Sequence, residues 1–274
     1  MGINFVSSEE LIVLKMGGSV ITNKYEHFSA RNEAIEKIAQ GISKIKQPLI
    51  LIHGAGSYGH PLAKKYEIHK GYFSSSQLDG LVEIRIKMQK LGEILTQIFR
   101  KYGMKIIPII SSSCMIAKNK RLLRVEIEPF RIFLKIGLIP MCSGDVVADR
   151  KLGFSIISGD QMATYLAREL GTKKVIFGCD VDGIFTSDPK QNEGAELIPI
   201  IKFKDLRKIL KKYVSETKAP DVTGGMLGKL NEINNLMKSG IEVIIMNLNR
   251  PEDLIKIMSG KDVKCTRLIP SSKS

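Results

Sequence analysis

A chain of 274 residues, 43% hydrophobic and 26% charged, is long enough for a sizeable buried core and too apolar for wholesale disorder. Its 42 Lys+Arg against 28 Asp+Glu give a net charge of +14, which suits anionic partners: nucleic acid, an anionic membrane or phosphorylated metabolites. The lysines are spread rather than massed and no RNP motif or paired zinc-ligand spacing accompanies them, which fits a lysine-coated surface and disfavours nucleic acid.

The opening segment MGINFVSSEELIVLK carries two glutamates where a signal peptide needs positive charge, and Val6 spoils a myristoylation match at Gly2. No window approaches the roughly 18–20 apolar residues of a membrane span, so a soluble, cytoplasmic protein with no membrane partner is expected. Short β-branched runs then alternate with longer helical patterns. Leu11–Met16, Leu49–His53, Lys105–Ile110, Leu138–Cys142, Lys174–Gly178 and Ile241–Met246 read as buried strands. Helical segments fall near residues 29–46, 77–102, 126–136, 160–170 and 226–239. The longest, Gln77–Lys101, sets Leu78, Leu81, Val82, Ile84, Met88, Leu91, Leu95 and Ile98 along one broad apolar stripe. Asp145–Ile157 alternates as a β-hairpin that turns at Lys151-Leu152-Gly153. Repeated strand–helix units predict an α/β fold with an open, mostly parallel central sheet, helices on both faces (an αβα sandwich) and this hairpin added. Cys114, Cys142, Cys179 and Cys265 form no Cys-x-x-Cys pair and read as buried free thiols, neither a disulfide framework nor a metal knuckle.

Three glycine-rich turns carry the chemistry. Lys15-Met-Gly-Gly-Ser19 follows the first strand; paired glycines let backbone N–H groups approach a phosphate, Ser19 adds a hydroxyl, and Lys15 and Lys24 flank the turn. His53-Gly-Ala-Gly-Ser-Tyr-Gly-His60 follows the second. Thr223-Gly-Gly-Met-Leu-Gly-Lys229 resembles a P-loop but lacks its first glycine and its Ser/Thr, since Thr223 and Leu230 stand there. What remains is a helix start at Gly224–Gly225 with Lys229 one turn in, where amides, dipole and ammonium all favour an anion. Asp160, in Ser158-Gly-Asp160, opens another helix and alone reads as its cap. Asp180 and Asp182 stand in a turn after a strand. In an open α/β sheet such turns share the rim at the strands' C-terminal ends, which makes a phosphate-handling site with several lysines.

Gly54, Gly56 and Gly59 also satisfy the dinucleotide pattern G-x-G-x-x-G. Against that reading, the unit is second in the chain, Pro61 and a short LAKKY replace the expected helix, and the acid about 20 residues on is met loosely by Asp79.

Taken in order, these motifs resemble the amino acid kinase superfamily over about residues 11–247. The loop ending in His60 is most similar to the isopentenyl phosphate kinase family, with fosfomycin kinases the nearest competitor. The resemblance implies one kinase-like domain over residues 1–274, with an acceptor-binding part at about 1–170 and a nucleotide-binding part at about 171–274. It implies that Lys15 and Lys229 contact ATP phosphates and that Lys24 steadies the transferring group. Gly17, Gly18, Ser19, Gly56 and Gly225 would form the phosphate cradle, Asp160 would organise the lysines, and Asp180 or Asp182 would lie near the nucleotide. Ala55, Gly56, His60 and Gly159 would hold the acceptor's phosphate, and Ile84 and Met88 are candidates for an apolar slot beside it. Mg²⁺ would be bound through the nucleotide phosphates, with no protein metal ligand, and a homodimer is expected from the family alone. Two positions depart from the family pattern: Tyr58 replaces a phenylalanine, and Cys179 a threonine beside the nucleotide.

An acceptor that is already a phosphate suits this set. A phosphomonoester is largely dianionic at neutral pH and needs no general base. Its obstacle is repulsion from ATP, which lysines, Mg²⁺ and a hydrogen-bonding His60 offset. The reaction implied is ATP-dependent phosphorylation of isopentenyl phosphate to isopentenyl diphosphate. A fosfomycin kinase-like enzyme, or another small phosphate or phosphonate kinase, is the alternative. A basic nucleic-acid-binding or regulatory protein on a kinase fold is a different class, against which the complete lysine set and Asp160 argue.

Overall fold

The computed structural model describes residues 10–189, 191–216 and 225–270. The first half runs β1 (Ile12–Met16), α1 (Gly18–Ile21), α2 (Asn32–Ile42), β2 (Leu49–His53), α3 (Gly56–Lys65), α4 (Ser76–Lys101) and β3 (Ile106–Pro108). A middle section follows with α5 (Ser111–Cys114), β4 (Met115–Lys118), β5 (Arg121–Val125), α6 (Glu128–Lys135), β6 (Ile139–Ser143), β7 (Asp145–Asp149) and β8 (Gly153–Ile157). The chain continues through α7 (Gly159–Glu169), β9 (Lys174–Cys179), β10 (Ile200–Lys202), α8 (Phe203–Glu216), α9 (Gly225–Lys238), β11 (Glu242–Asn247), α10 (Glu252–Met258) and β12 (Cys265–Ile269).

Eight strands form the main sheet in the order β10-β12-β11-β9-β1-β2-β6-β3. It is parallel except that β12 runs antiparallel to β11. Strand β1 is central, and successive crossovers leave it toward β2 on one side and β9 on the other. That is the switch point at which α/β sheets open a crevice. Alternation along β1 sorts its side chains between two cores. Ile12, Leu14 and Met16 pack with α2, α3, α4 and α10, whereas Leu11 and Val13 pack with α6, α7, α8 and α9. Lys15 shares the parity of Leu11 and Val13 and so points to the α7–α9 face. Among the described residues no helix is long and apolar enough to cross a membrane.

The expected strands and helices are present with ends shifted by a few residues, except that the helix expected over 29–46 starts at Asn32. Residues before it form a loop in which Phe28 adopts φ 55°. The expected hairpin is β7–β8, and it belongs to a second sheet of order β5-β4-β7-β8. One expectation is overturned: Pro61 does not displace a helix after the second glycine turn but lies inside α3. Its missing N–H would have bonded the carbonyl of Ser57, and that carbonyl instead accepts from Phe28 N at 3.4 Å.

Backbone-to-backbone contact explains two glycines of the first two turns. A Cβ on Gly18 would lie 2.5 Å from Gly56 N, and one on Gly54 would lie 2.7 Å from Gly18 N. The loops after β1 and β2 therefore interlock, and Gly54 N extends the pairing by donating to Met16 O. Gly54→Ala is expected to force the loops apart and to cost about 1–3 kcal/mol. Gly92→Ala, inside α4 with only an ordinary contact to His53 Nε2 at 3.7 Å, should instead stabilise by up to about 1 kcal/mol. Denaturant unfolding of the two variants should shift the midpoint in opposite directions.

His53 ends β2 facing α4, is 3% exposed, and its Nδ1 lies 3.2 Å from Gly54 O. Burial lowers its pKa from 6.5 to about 4, against the opposing hydrogen bond to Gly54. The folded state thus holds His53 neutral where the unfolded chain binds a proton. Its share of stability is complete above pH 6.5 and is lost as pH falls toward about 4, amounting to roughly 3 kcal/mol at 1.36 kcal/mol per pH unit. Unfolding free energies between pH 7 and 4 should fall less steeply in His53→Gln than in the wild type.

Candidate active site

The crevice above β1 is built around one carboxylate and two ammonium groups. Asp160 lies at the second position of α7, whose N-cap is Ser158, its hydroxyl accepting from Gln161 N at 3.1 Å. Asp160 is therefore not the cap. Its Oδ1 lies 2.9 Å from Lys15 Nζ, and Lys229 Nζ reaches Oδ1 at 2.9 Å and Oδ2 at 3.0 Å. Both lysines are buried, and Lys229 Nζ also sits 4.7 Å from the centre of the Phe177 ring. Gly159 makes this possible, for a Cβ there would press on Lys15 Cε at 3.2 Å.

Burial alone would raise the Asp160 carboxyl, but Lys15 and Lys229, through charge and hydrogen bonds, hold it far below the ordinary carboxylate range. The lysines share it unequally. Burial lowers Lys15, with Lys229's repulsion adding to that and Asp160 resisting it. Lys229 is raised: burial works against it, but it engages both carboxylate oxygens. Two cations against one anion leave a surplus positive charge at the cleft floor.

Around it, Val20 N donates to Gly17 O and Thr22 N to Gly18 O, so the amides of Gly18 and Ser19 precede the first intrahelical bonds of α1. Gly56 takes φ 50° at the start of α3, packed against the Thr22 side chain. A cleft bounded by Lys15, Gly18, Gly54 and Asp160 continues past Ala55, Gly59, His60 and Gly159. Its apolar wall consists of Ala63, Ile84, Met88, Val146, Ile156 and Ile157. The structure thus brings together Lys15, Gly18, Ala55, His60, Ile84, Met88, Gly159 and Asp160, with Lys229 joined through Asp160. His60 stands exposed on the rim, in contrast to His53.

Other expected residues are placed differently. Lys24 is exposed, its Nζ 5.9 Å from the centre of the Tyr25 ring and not paired with Asp160. Ser19 is exposed and Gly17 is buried, its N–H donating to Gly178 O at 2.8 Å and so turned into the sheet. Gly225 begins α9, while Thr223 and Gly224 lie outside the described residues. Asp180 follows the end of β9, and Asp182 Oδ1 accepts from Arg250 Nη2 at 2.9 Å and Asn247 Nδ2 at 3.0 Å. Cys179 is buried near Lys15 and Lys229, and burial pushes its thiol up despite both cations. Tyr58 is core: its ring meets Phe28 edge-on at 6.2 Å and is not among the cleft's lining residues. Sequence reasoning missed Asp145, which lines the cleft and whose buried carboxylate pairs with Arg85. An aspartate opening a strand, one glycine beyond the end of a buried one, was the available signal.

Comparison with known proteins shows the family of the chain. The sequence pattern of the amino acid kinase family matches residues 10–247. The isopentenyl phosphate kinase of Methanothermobacter thermautotrophicus is 34% identical, covering 94% of this chain and 98% of its own. That of Methanocaldococcus jannaschii is 32% identical, covering 92% and 96%. An X-ray structure of isopentenyl phosphate kinase superposes with a TM-score of 0.80 at 32% identity, covering 94% of this chain and 99% of its own. With matches near full length on both sides, the chain belongs to the amino acid kinase family and, within it, to the isopentenyl phosphate kinases.

Proposed function

We propose that this phosphotransferase uses ATP to phosphorylate isopentenyl phosphate, giving isopentenyl diphosphate. The observation that carries the reading is the buried Lys15–Asp160–Lys229 cluster at the floor of a cleft that is polar at His60 and apolar at Ile84 and Met88. Such a cleft fits a small phosphate on a short hydrocarbon tail. The 34% identical relative of the same name supports it.

In this reading Lys15 and Lys229 supply charge to the phosphoryl group in flight, where electrostatic stabilisation counts most. Asp160 keeps both ammonium groups aimed and does not act as a base, since its oxygens are already engaged by lysines. The amides of Gly18, Ser19 and Gly56 cradle nucleotide phosphates, with Gly225 opening the helix that carries Lys229. Bound through the nucleotide's phosphates, Mg²⁺ would supply charge neutralisation, while Asp160 stays engaged by Lys15 and Lys229. Ala55, His60 and Gly159 grip the acceptor's phosphate, and Ile84 and Met88 border its tail. Lys24, exposed on the loop before α2, reaches the transferring group only by a side-chain swing of its own. Residues 1–170 hold the acceptor and contribute the Gly18–Ser19 and Gly56 amides to the phosphate cradle, residues 171–274 hold the rest of the nucleotide, and Asp160 joins the two parts by gripping Lys229. The homodimer expected of the family has a candidate face in Leu78, Val82 and Ile86, an exposed row along α4.

A steady-state acceptor panel tests the reading. The wild type should turn over isopentenyl phosphate with ATP. His60→Ala should lose about 2–4 kcal/mol of transition-state stabilisation toward phosphate-bearing acceptors, with ATP affinity by calorimetry unchanged. A wild type that ignores isopentenyl phosphate but phosphorylates fosfomycin would replace this proposal with the phosphonate kinase alternative.

A further inference from the structure

The helices that bring Asp160 and Lys229 together are both held by one small structure outside the cleft, the tip of the β4–β5 hairpin. On α7, Gln161 follows Asp160 directly and is buried; its Oε1 accepts from Leu122 N, and its Nε2 donates to Lys120 O at 3.3 Å. On α9, Glu232 lies one turn beyond Lys229 on the same side and is 4% exposed. Its Oε1 accepts from Arg121 Nη1, while its Oε2 is buried with no hydrogen-bond partner among the described residues. Residues 120–122 thus touch the neighbour of Asp160 and the neighbour of Lys229 at once.

The tip is stiff enough to act as a gauge. Asn119 and Lys120 turn the chain in the left-handed region, at φ 52° and 65°. Their N–H groups both donate to the buried Asp149 carboxylate on β7, at 2.9 and 2.8 Å. Asp149 also accepts from Lys151 N and Leu152 N, which fixes the two hairpins to each other. Arg121 itself is more than half exposed, so packing does not explain its place; its guanidinium answers a buried carboxylate that no other cation among the described residues contacts.

We propose that Arg121 and Gln161 are positioning residues for phosphoryl transfer, setting from the hairpin tip the separation of α7 and α9 and with it the contact of Lys229 with Asp160. The proposal rests on the kinase reading above and adds to it two residues that touch neither nucleotide nor acceptor. Removing the Arg121 guanidinium leaves the Glu232 carboxyl group buried without its partner on the hairpin, so α9 relieves it by shifting, and Lys229 moves with the helix. A displacement of this kind is felt in the transition state more than in acceptor binding.

The test is steady-state kinetics with ATP and isopentenyl phosphate on Arg121→Ala, Arg121→Lys, Glu232→Gln and the Arg121→Ala/Glu232→Gln double variant. Arg121→Ala should lower kcat about ten- to a hundredfold with KM for isopentenyl phosphate unchanged. Arg121→Lys should restore most of the loss, and the double variant should lose no more than the worse single one, as expected of a coupled pair. An Arg121→Ala enzyme with wild-type kcat, an equal effect on KM for the acceptor, or losses that multiply in the double variant would overturn the proposal. Should Glu232→Gln fail to fold, the contrast between Arg121→Ala and Arg121→Lys still decides. Amide hydrogen exchange over residues 228–236 gives a readout independent of turnover: faster exchange in Arg121→Ala supports the hold on α9, and unchanged exchange refutes it. A wild type without kinase activity counts against the function above, and the exchange result then stands alone for the hairpin.

Discussion

One carboxylate shared by two buried ammonium groups is the constraint on which the crevice depends. Lys15, from the central strand, and Lys229, from α9, would repel each other and pay a large desolvation cost if brought together without Asp160. With Asp160 between them, strand β1 and helices α7 and α9 must all meet at one point, because each residue's charge is balanced only there. The cluster still carries one more positive than negative charge, so it is balanced enough to be buried and cationic enough to attract phosphate. The loops after β1 and β2 interlock beside it, Gly18 and Gly54 packing backbone against backbone, and in the proposed reading they set how close a phosphate comes.

The same logic of environment separates the two histidines of the second glycine turn. His53 is sealed beneath α4 and kept neutral by burial, so it behaves as a core side chain with a polar edge. Seven residues later, His60 is carried by the second turn of α3 onto the rim of the cleft. Chain distance says little about role here; the helix start between them does. Asp145 places a buried carboxylate, paired with Arg85, among the apolar residues Val146, Ile156 and Ile157 that line the cleft.

Much of this was legible in the sequence because its signals are local. Strands such as Leu49–His53 are uninterrupted apolar runs, and the turns that follow them are marked by glycines. Lys15, Asp160 and Lys229 were all identifiable from their positions beside such turns, although Asp160 alone reads as an ordinary cap. What the sequence hid was whatever depends on pairing across the chain. Strand β4 is only four residues long and β5 is largely exposed, so neither reads as an uninterrupted apolar run, and their sheet exists only because β7 receives β4. The placement of Lys24 was hidden likewise: the loop before α2 is docked by Phe28 against Tyr58 and Lys87, contacts that no spacing rule encodes.

The proline within α3 has a consequence for anyone redesigning this chain. Judged as a helix, α3 carries a defect at Pro61, and a residue with an N–H would repair it. Yet the carbonyl left over by that defect, on Ser57, is what Phe28 N grasps, and Ser57 N in turn takes Thr22 Oγ1 at 3.0 Å. The gap in one element is thus the fastening of another. A repaired helix would compete for the Ser57 carbonyl and loosen the loop that bears Lys24, so a gain in stability would come as a loss of order next to the crevice.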